Sequence, residues 1–240
     1  MRRPLGIGST YKTNYLGIPL LDNTLSIEPG TSILIEHDPD TNNHHIFEKL
    51  FVAQSIADGK KVTVRSFPFC IPATVSRTEE QKYRPMEIAW RYAQRSRPET
   101  TEFDFLESCT NMQNVKFGDT IEIAERTCIS GLCAPHDNLG CKELFEIKKK
   151  VICEHSVLLA TCPTYICDVN VGLYFDIVLS LESNYAKENG YHGLLRIKKF
   201  TRKPDNLLYG YNISRYGVIM EQFSLAPDDE APRLGCDVVF

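Results

Sequence analysis

The chain has 240 residues, with 31 acidic and 27 basic side chains and a formal net charge of −4. This balance excludes a free-standing basic nucleic-acid clamp, and a composition of 42% hydrophobic and 24% charged residues excludes a disordered or fibrous chain. The nine cysteines are an odd number without a CxxC pair, and no apolar run approaches the length that spans a bilayer. We therefore expect reduced thiols in a cytoplasmic or nuclear protein without membrane association.

Helices and strands alternate along the first 67 residues. Leucines at helical spacing predict a helix over 16–25, and the apolar run Ser32–Ile35 predicts a strand. An amphipathic pattern over Ile46–Ala57 predicts a second helix, and the β-branched run Lys61–Phe67 predicts a second strand. A strand, a polar loop, a helix and a strand form a βαβ unit, which favours a parallel sheet with helices packed on its faces.

The rest of the chain continues as one α/β domain. Residues 68–118 are predicted to be mostly irregular, apart from a buried strand in MEIAWRY (Met86–Tyr92). Further elements are predicted as β structure over Thr120–Gly131, a helix over Cys141–His155, and strands at Val157–Cys162, Phe175–Ser183, 191–200 and 216–225. The last two strands are predicted to pair as an antiparallel hairpin at the sheet edge.

The predicted domain boundaries follow from this order of elements. A short polar lead-in occupies residues 1–15 and a short tail occupies residues 227–240, so that the domain covers 16–226. The segments show no internal repeat and no low-complexity tract.

The loop after the first strand is where a nucleotide-binding βαβ unit carries a Walker A sequence, GxxxxGK[S/T]. Its glycines let backbone N–H groups close on phosphates, its lysine neutralises them, and its hydroxyl binds magnesium. The four signature positions hold instead His37, Asn42, Asn43 and His44. Glu36, Asp38 and Asp40, predicted in the same loop, would further repel an anion. An ordinary polar loop and a degenerate P-loop are both compatible with these residues, and neither predicts a cofactor bound by this chain alone.

The second half of the phosphate chemistry is also missing from the sequence. A Walker B acid should stand at the end of a later apolar strand, where it organises magnesium. The matching strand, ERTCISGLC, ends in Ser130, Gly131 and Leu132. We therefore expect no autonomous ATPase activity and no catalytic residue, although a nucleotidase with an unconventional phosphate site remains the alternative.

A cysteine-rich loop is the candidate metal site. Cys128, Cys133, His136 and Cys141 are residue types that bind zinc. Their spacings match no common zinc pattern, and cysteine is frequently a small buried residue, so no metal is predicted. The histidines of the loop after the first strand are predicted to be solvated residues or helix-cap neighbours.

One basic segment starts in the predicted hairpin and runs into its loop. Its members are Arg196, Lys198, Lys199, Arg202 and Lys203. Charged side chains on an edge strand commonly block aggregation, which is one hypothesis. The other hypothesis is contact with RNA phosphates, together with Lys148, Lys149 and Lys150.

Several segments of the chain resemble the fourth subunit of the Elongator complex. In chain order these are LGIPLLDNTLSIEPGTSILIEHD, FEKLFVAQSIADGKKVTV, MEIAWRY, LFEIKKKVICEHSVLLATCPTYI, LSLES, YHGLLRIKKF, EQFSLAPD and LGCDVVF. The resemblance covers most of the chain, and MEIAWRY and YHGLLRI are its most specific markers. The sibling sixth subunit, which also lacks Walker motifs, is the closest alternative.

The resemblance implies a RecA-like fold with a degenerate P-loop. It also implies a heterohexameric ring with the fifth and sixth Elongator subunits, which joins a catalytic subcomplex that modifies wobble uridine in tRNA. The assembled ring would bind tRNA, and ATP would act only at ring interfaces. Two loops of such a ring face the central channel, and by chain order they would carry His136 and Tyr165.

Overall fold

A computed structural model gives the fold of the chain over residues 15–41, 43–66, 68–75, 101–133, 140–165, 170–182, 190–200 and 207–222. Within these ranges the helices are α1 (Pro19–Leu25), α2 (His44–Ala57), α3 (Cys141–Cys153) and a 3-10 helix (Val171–Tyr174). The strands are β1 (Ser32–His37), β2 (Val62–Arg65), β3 (Pro72–Thr74), β4 (Phe103–Ser108), β5 (Val115–Gly118), β6 (Arg126–Ile129), β7 (Val157–Pro163), β8 (Ile177–Glu182), β9 (Gly193–Lys199), β10 (Leu207–Ser214) and β11 (Gly217–Gln222). The predicted strand MEIAWRY and nearly all of the lead-in and tail lie outside the described residues.

Nine of these strands form one sheet in the order β11-β10-β9-β8-β1-β7-β6-β2-β5. The strands from β8 to β5 pair in parallel, and β9, β10 and β11 extend the sheet in antiparallel fashion. The predicted fold class, a mostly parallel α/β sheet with a C-terminal antiparallel hairpin, is confirmed. Because β1 lies between β7 and β8, the loop that leaves β1 is central to the molecule.

The hairpin has a different partner strand from the one predicted. The predicted strands at 191–200 and 216–225 correspond to β9 and β11, and each of them pairs with β10 rather than with the other. The sequence of β10, LLYGYNIS, resembles a loop because it contains Gly210 and Asn212. Gly210 has a packing role, since a Cβ atom there would lie 2.7 Å from the ring of Tyr191.

The middle of the chain is more ordered than predicted. Strands β3 and β4 form a separate antiparallel pair with an irregular register, and β5 adds to β2 at one side of the main sheet. The prediction of irregular structure is therefore wrong for these segments. They are short, and several of their side chains are exposed, so they lack the apolar alternation that identifies a strand in a sequence.

The two faces of the sheet pack against different helices. Ile33 and Ile35 of β1 belong to the larger core, which also contains Leu50 and Phe51 of α2. Leu34 belongs to the smaller core, which contains Leu144 and Val151 of α3. Alternate residues of β1 thus point to opposite helical layers, as the pleat of a strand requires.

Candidate functional site: the loop between β1 and α2

The β1–α2 loop, Asp38–Asn43, follows the central strand. Helix α2 begins at His44, two residues before the start predicted at Ile46, and His37 is the last residue of β1 and not part of the loop. Glu36 also lies in the strand, and its Oε2 atom accepts a hydrogen bond from Lys198 Nζ at 2.8 Å. The prediction that Glu36 crowds the loop is therefore wrong, because the strand continues two residues further than its apolar run. Asn42 lies outside the described residues.

The loop is closed by contacts among its own residues. The backbone N–H of Thr41 donates to the carbonyl of Asp38 at 3.2 Å, and the Thr41 hydroxyl donates to the Asp38 carboxylate. The rings of His37 and His44 stack in parallel with their centroids 3.9 Å apart. His37 is only 7% exposed, so the prediction of a solvated histidine is wrong for this residue. Burial, followed by the proximity of His44, lowers the pKa of His37.

A buried carboxylate lies one helical turn beyond His44. Glu48 is 2% exposed, and its Oε1 atom accepts a hydrogen bond from Thr161 Oγ1 of β7 at 2.6 Å. The Thr161 hydroxyl in turn accepts the backbone N–H of Gly131 at 2.9 Å, and Ser130 also hydrogen-bonds Glu48. Burial raises the pKa of Glu48 despite these hydrogen bonds.

We call Glu48, Ser130 and Thr161 the Glu48 cluster. It lies between the two places where the sequence lacks the residues of a phosphate site. Ser130 follows β6, where a Walker B acid was sought, and Glu48 belongs to the helix that follows the degenerate P-loop. The Glu48 carboxyl group supplies no positive charge at a place where a nucleotide would need it. The neighbouring Cys128 thiol is fully buried, and burial raises its pKa, so it is a poor nucleophile.

Tyr211 of β10 reaches the same region from the antiparallel extension of the sheet. Its ring packs edge to face against Phe47 at 5.5 Å, and its buried hydroxyl lies beside the side chain of Asn43. Burial raises the pKa of the phenol. Gly193 stands opposite on β9, where a Cβ atom would lie 2.2 Å from the Tyr211 hydroxyl oxygen.

Sequence reasoning missed Glu48, Thr161 and Tyr211. A signal for Glu48 is present in the sequence, because it is a charged residue directly beside the apolar face of an amphipathic helix. Nothing local marks Thr161 or Tyr211, because each reaches the site only through the pairing order of the sheet.

The basic segment is occupied by contacts within the chain. Arg196 forms two hydrogen bonds to the Glu182 carboxylate at 2.9 and 3.3 Å, and Lys198 pairs with Glu36. Lys199 Nζ donates to the carbonyls of Gly172, Leu173 and Phe175 at 2.6 to 3.3 Å. The edge-protection hypothesis is wrong for these three residues, because β9 lies between β8 and β10. Arg202 and Lys203 lie outside the described residues, and RNA contact stays a prediction.

The candidate channel and metal residues are not brought together by the described structure. Tyr165 is exposed just after β7, and His136 lies outside the described residues. Cys128 is buried in β6 and Cys141 is the exposed first residue of α3. The described ranges contain no group of three or more histidine, cysteine, aspartate or glutamate residues suited to a metal ion. No helix in these ranges is long and apolar enough to cross a membrane.

The fold is RecA-like, of the kind found in KaiC-like proteins. The KaiC-like protein of Pyrococcus horikoshii OT3 is similar with a TM-score of 0.57 and 12% identity, over 88% of this chain and 99% of that one. The flagellar accessory protein FlaH of Methanocaldococcus jannaschii has a TM-score of 0.51 and 10% identity, over 81% of this chain and 91% of that one. In sequence, the PAXNEB protein family model matches residues 12–128, slightly less than half of the chain. No curated protein sequence matches significantly.

Proposed function

We propose that this chain is a non-catalytic, ring-forming subunit of an Elongator-type complex that modifies wobble uridine in tRNA. The PAXNEB family is that of Elongator subunit 4, which favours the fourth subunit over the sibling sixth. In this proposal the chain assembles with the fifth and sixth subunits into a heterohexamer that binds tRNA and joins the catalytic subcomplex.

The observation that carries the proposal is the set of side chains that surround the loop between β1 and α2. The stacked rings of His37 and His44 and the hydrogen-bonded carboxylate of Glu48 occupy the region where catalysis would require bound phosphate and magnesium. The matched residues 12–128 include this loop. A RecA-like chain with such a loop supports an assembly role, with ATP acting only at ring interfaces.

Co-expression of the chain with the fifth and sixth subunits tests this proposal. We expect the native mass of the purified complex to correspond to two copies of each subunit, and we expect the isolated chain to show no ATP turnover. A chain that stays monomeric beside both siblings contradicts the proposal.

The nucleotidase alternative makes the opposite prediction for the isolated chain. It requires ATP turnover that is lost when Asn42 and Asn43 are changed to alanine. Turnover that persists in this double variant would indicate a contaminating enzyme, and turnover that disappears would support the nucleotidase over the ring subunit.

A further inference from the structure

The ammonium group of Lys199 lies at the C-terminal end of the 3-10 helix. Its Nζ atom donates to the carbonyl oxygens of Gly172, Leu173 and Phe175 at 3.2, 3.3 and 2.6 Å. An ammonium group has three N–H donors, so its donors match these three acceptors in number. We call Lys199 and the three carbonyl groups the Lys199 clamp.

The positive charge of the lysine is what suits it to this position. The last carbonyl groups of a helix have few partners within the helix, and they carry partial negative charge. A cation satisfies them better than a neutral donor, because charge-assisted hydrogen bonds are roughly twice as strong as neutral ones. We therefore expect the Lys199 clamp to depend on the charge of the amine.

An irregularity in the pairing of β8 and β9 brings Lys199 to this helix. Val178 pairs with Lys199, whereas the next residue, Leu179, pairs with Ile197. Lys198 is therefore an extra residue in β9, as in a β-bulge. In a regular strand the side chains of two successive residues would point to opposite faces of the sheet.

The bulge brings the two neighbouring lysines to the same face of the sheet. Lys198 pairs with Glu36, which shares a face of β1 with Leu34 of the smaller core. Lys199 contacts the carbonyl of Phe175, which belongs to the same core. Because bulges commonly re-aim a side chain, the irregular register supports a specific role for Lys199.

Other contacts hold the same segment from α3 and β1. Asp176 accepts hydrogen bonds from Lys148 Nζ at 2.8 Å and from Ser32 Oγ at 2.7 Å. Val171 and Phe175 are buried in the smaller core. Loss of the clamp should therefore loosen the 3-10 helix locally and leave the segment attached to the core.

The amine of Lys199 belongs to an exposed residue, so a reagent can reach it. Partial burial, followed by the proximity of Lys148, lowers the pKa of Lys199, which favours the neutral and nucleophilic amine. Attack on a thioester forms an amide bond at Nζ and breaks the carbon–sulfur bond of the donor. The thiol leaves with one proton of the former ammonium group, and a second proton passes to solvent, so the product is uncharged.

We propose that Lys199 is a charge-dependent clamp on the 3-10 helix and that acylation of its amine releases this helix. An acylated amine keeps one N–H and no charge, so it cannot satisfy three carbonyl groups. The device lies within one chain and does not require assembly of the ring.

Amide hydrogen exchange across residues 170–176 tests the clamp. The N–H groups of Leu173 and Phe175 are hydrogen-bonded within this segment. Lys199→Met keeps a long side chain and removes the charge. We expect these amides to exchange at least about tenfold faster in this variant than in the wild type, because hydrogen bonds to a charged group are among the stronger ones.

Two further variants separate charge from shape and position. Lys199→Arg keeps the positive charge and should keep exchange close to that of the wild type. Lys198→Met removes the neighbouring lysine, whose partner is the side chain of Glu36, and should change exchange by no more than about twofold. Thermal unfolding of each variant confirms that it is folded.

Three outcomes of these measurements would contradict the clamp. One is a wild-type segment whose amides exchange as fast as those of an unfolded peptide. Another is equal acceleration in Lys199→Met and Lys199→Arg, which would assign the effect to the shape of the lysine. The third is equal acceleration in Lys198→Met, which would indicate a general loosening of β9.

Acylation is tested on the full chain with Nε-acetyllysine incorporated at position 199. Exchange of the 3-10 helix should accelerate as in Lys199→Met, and acetyllysine at position 198 should have no such effect. Unchanged exchange with acetyllysine at position 199 would contradict release by acylation. Acetic anhydride treatment of the wild type, followed by mass spectrometry, shows whether the amine is reached. Lys199 that stays unmodified while the exposed Lys149 and Lys150 of α3 react would overturn the modification.

Discussion

The surroundings of the β1–α2 loop and the outer surface of helix α3 differ in whether their side chains have partners within the chain. At the two ends of the loop, the rings of His37 and His44 stack on each other, and in α2 the Glu48 side chain accepts a hydrogen bond from Thr161, so these polar groups have partners within the chain. On the outer surface, Phe145 of α3 and Leu173 of the 3-10 helix remain exposed. The contrast teaches that the polar side chains around the β1–α2 loop are paired within the chain, whereas large apolar side chains of α3 and the 3-10 helix remain uncovered.

The largest loss of stability should come from removing the Thr161 hydroxyl, which donates a hydrogen bond to buried Glu48. Thr161→Val keeps the shape of the side chain but leaves Glu48 with fewer hydrogen bonds. We expect a loss of about 2–3 kcal/mol in the free energy of unfolding, which denaturant titration measures. Thr63→Val is the control on a half-exposed strand residue, with an expected cost of about 1 kcal/mol or less. Equal losses in the two variants would contradict a special role for the Glu48 cluster.

The second largest loss of stability is expected where Tyr211 packs over Gly193. A methyl group added by Gly193→Ala would lie 2.4 Å from the ring atom Cζ, so the ring must move away from Phe47 and the loop. We expect a cost of about 1–3 kcal/mol, as for other overpacked sites. Gly118→Ala is the control, because nothing lies within 4 Å of a Cβ atom there. If the two variants unfold at the same denaturant concentration, the close packing of Tyr211 over Gly193 does not contribute to stability.

These two sites show which features could be predicted from the sequence. The βαβ unit and helix α3 have strong periodicity, because each buries one face against the sheet. Residues such as Thr161 and Tyr211 acquire their roles from a sheet order that joins β1 to β7 and β10 to β9, and local patterns do not encode that order. The sequence of the loop shows that the Walker A motif is absent. It does not show that Glu48, Thr161 and Tyr211 lie near the loop in the folded chain.

The histidine stack makes a smaller, pH-dependent contribution to stability. Because burial and His44 lower the pKa of His37, the folded chain favours its neutral form. The sign follows from proton binding: the unfolded chain binds the proton more readily, so this contribution is present above the ordinary pKa of about 6.5 and is lost as pH falls through the folded value. Glu48 acts in the opposite direction, because its raised pKa favours the protonated acid in the folded chain.

His37→Gln removes this titration and isolates it from that of Glu48. We expect the free energy of unfolding to fall less between pH 7 and pH 5 in this variant than in the wild type. His192→Gln, at an exposed position on the antiparallel side, is the control for the loss of a histidine from the chain. A His37→Gln chain with the wild-type pH profile would contradict the assignment.

The smallest change in stability is expected for the exposed apolar side chains of α3 and the 3-10 helix. Phe145→Ala and Leu173→Ala should change the free energy of unfolding of the isolated chain by no more than about 0.5 kcal/mol, because both side chains are largely exposed. Denaturant titration of the isolated chain measures this directly. A loss comparable to that of Thr161→Val would mean that Phe145 and Leu173 contribute to the core, and the contrast with the surroundings of the loop would disappear.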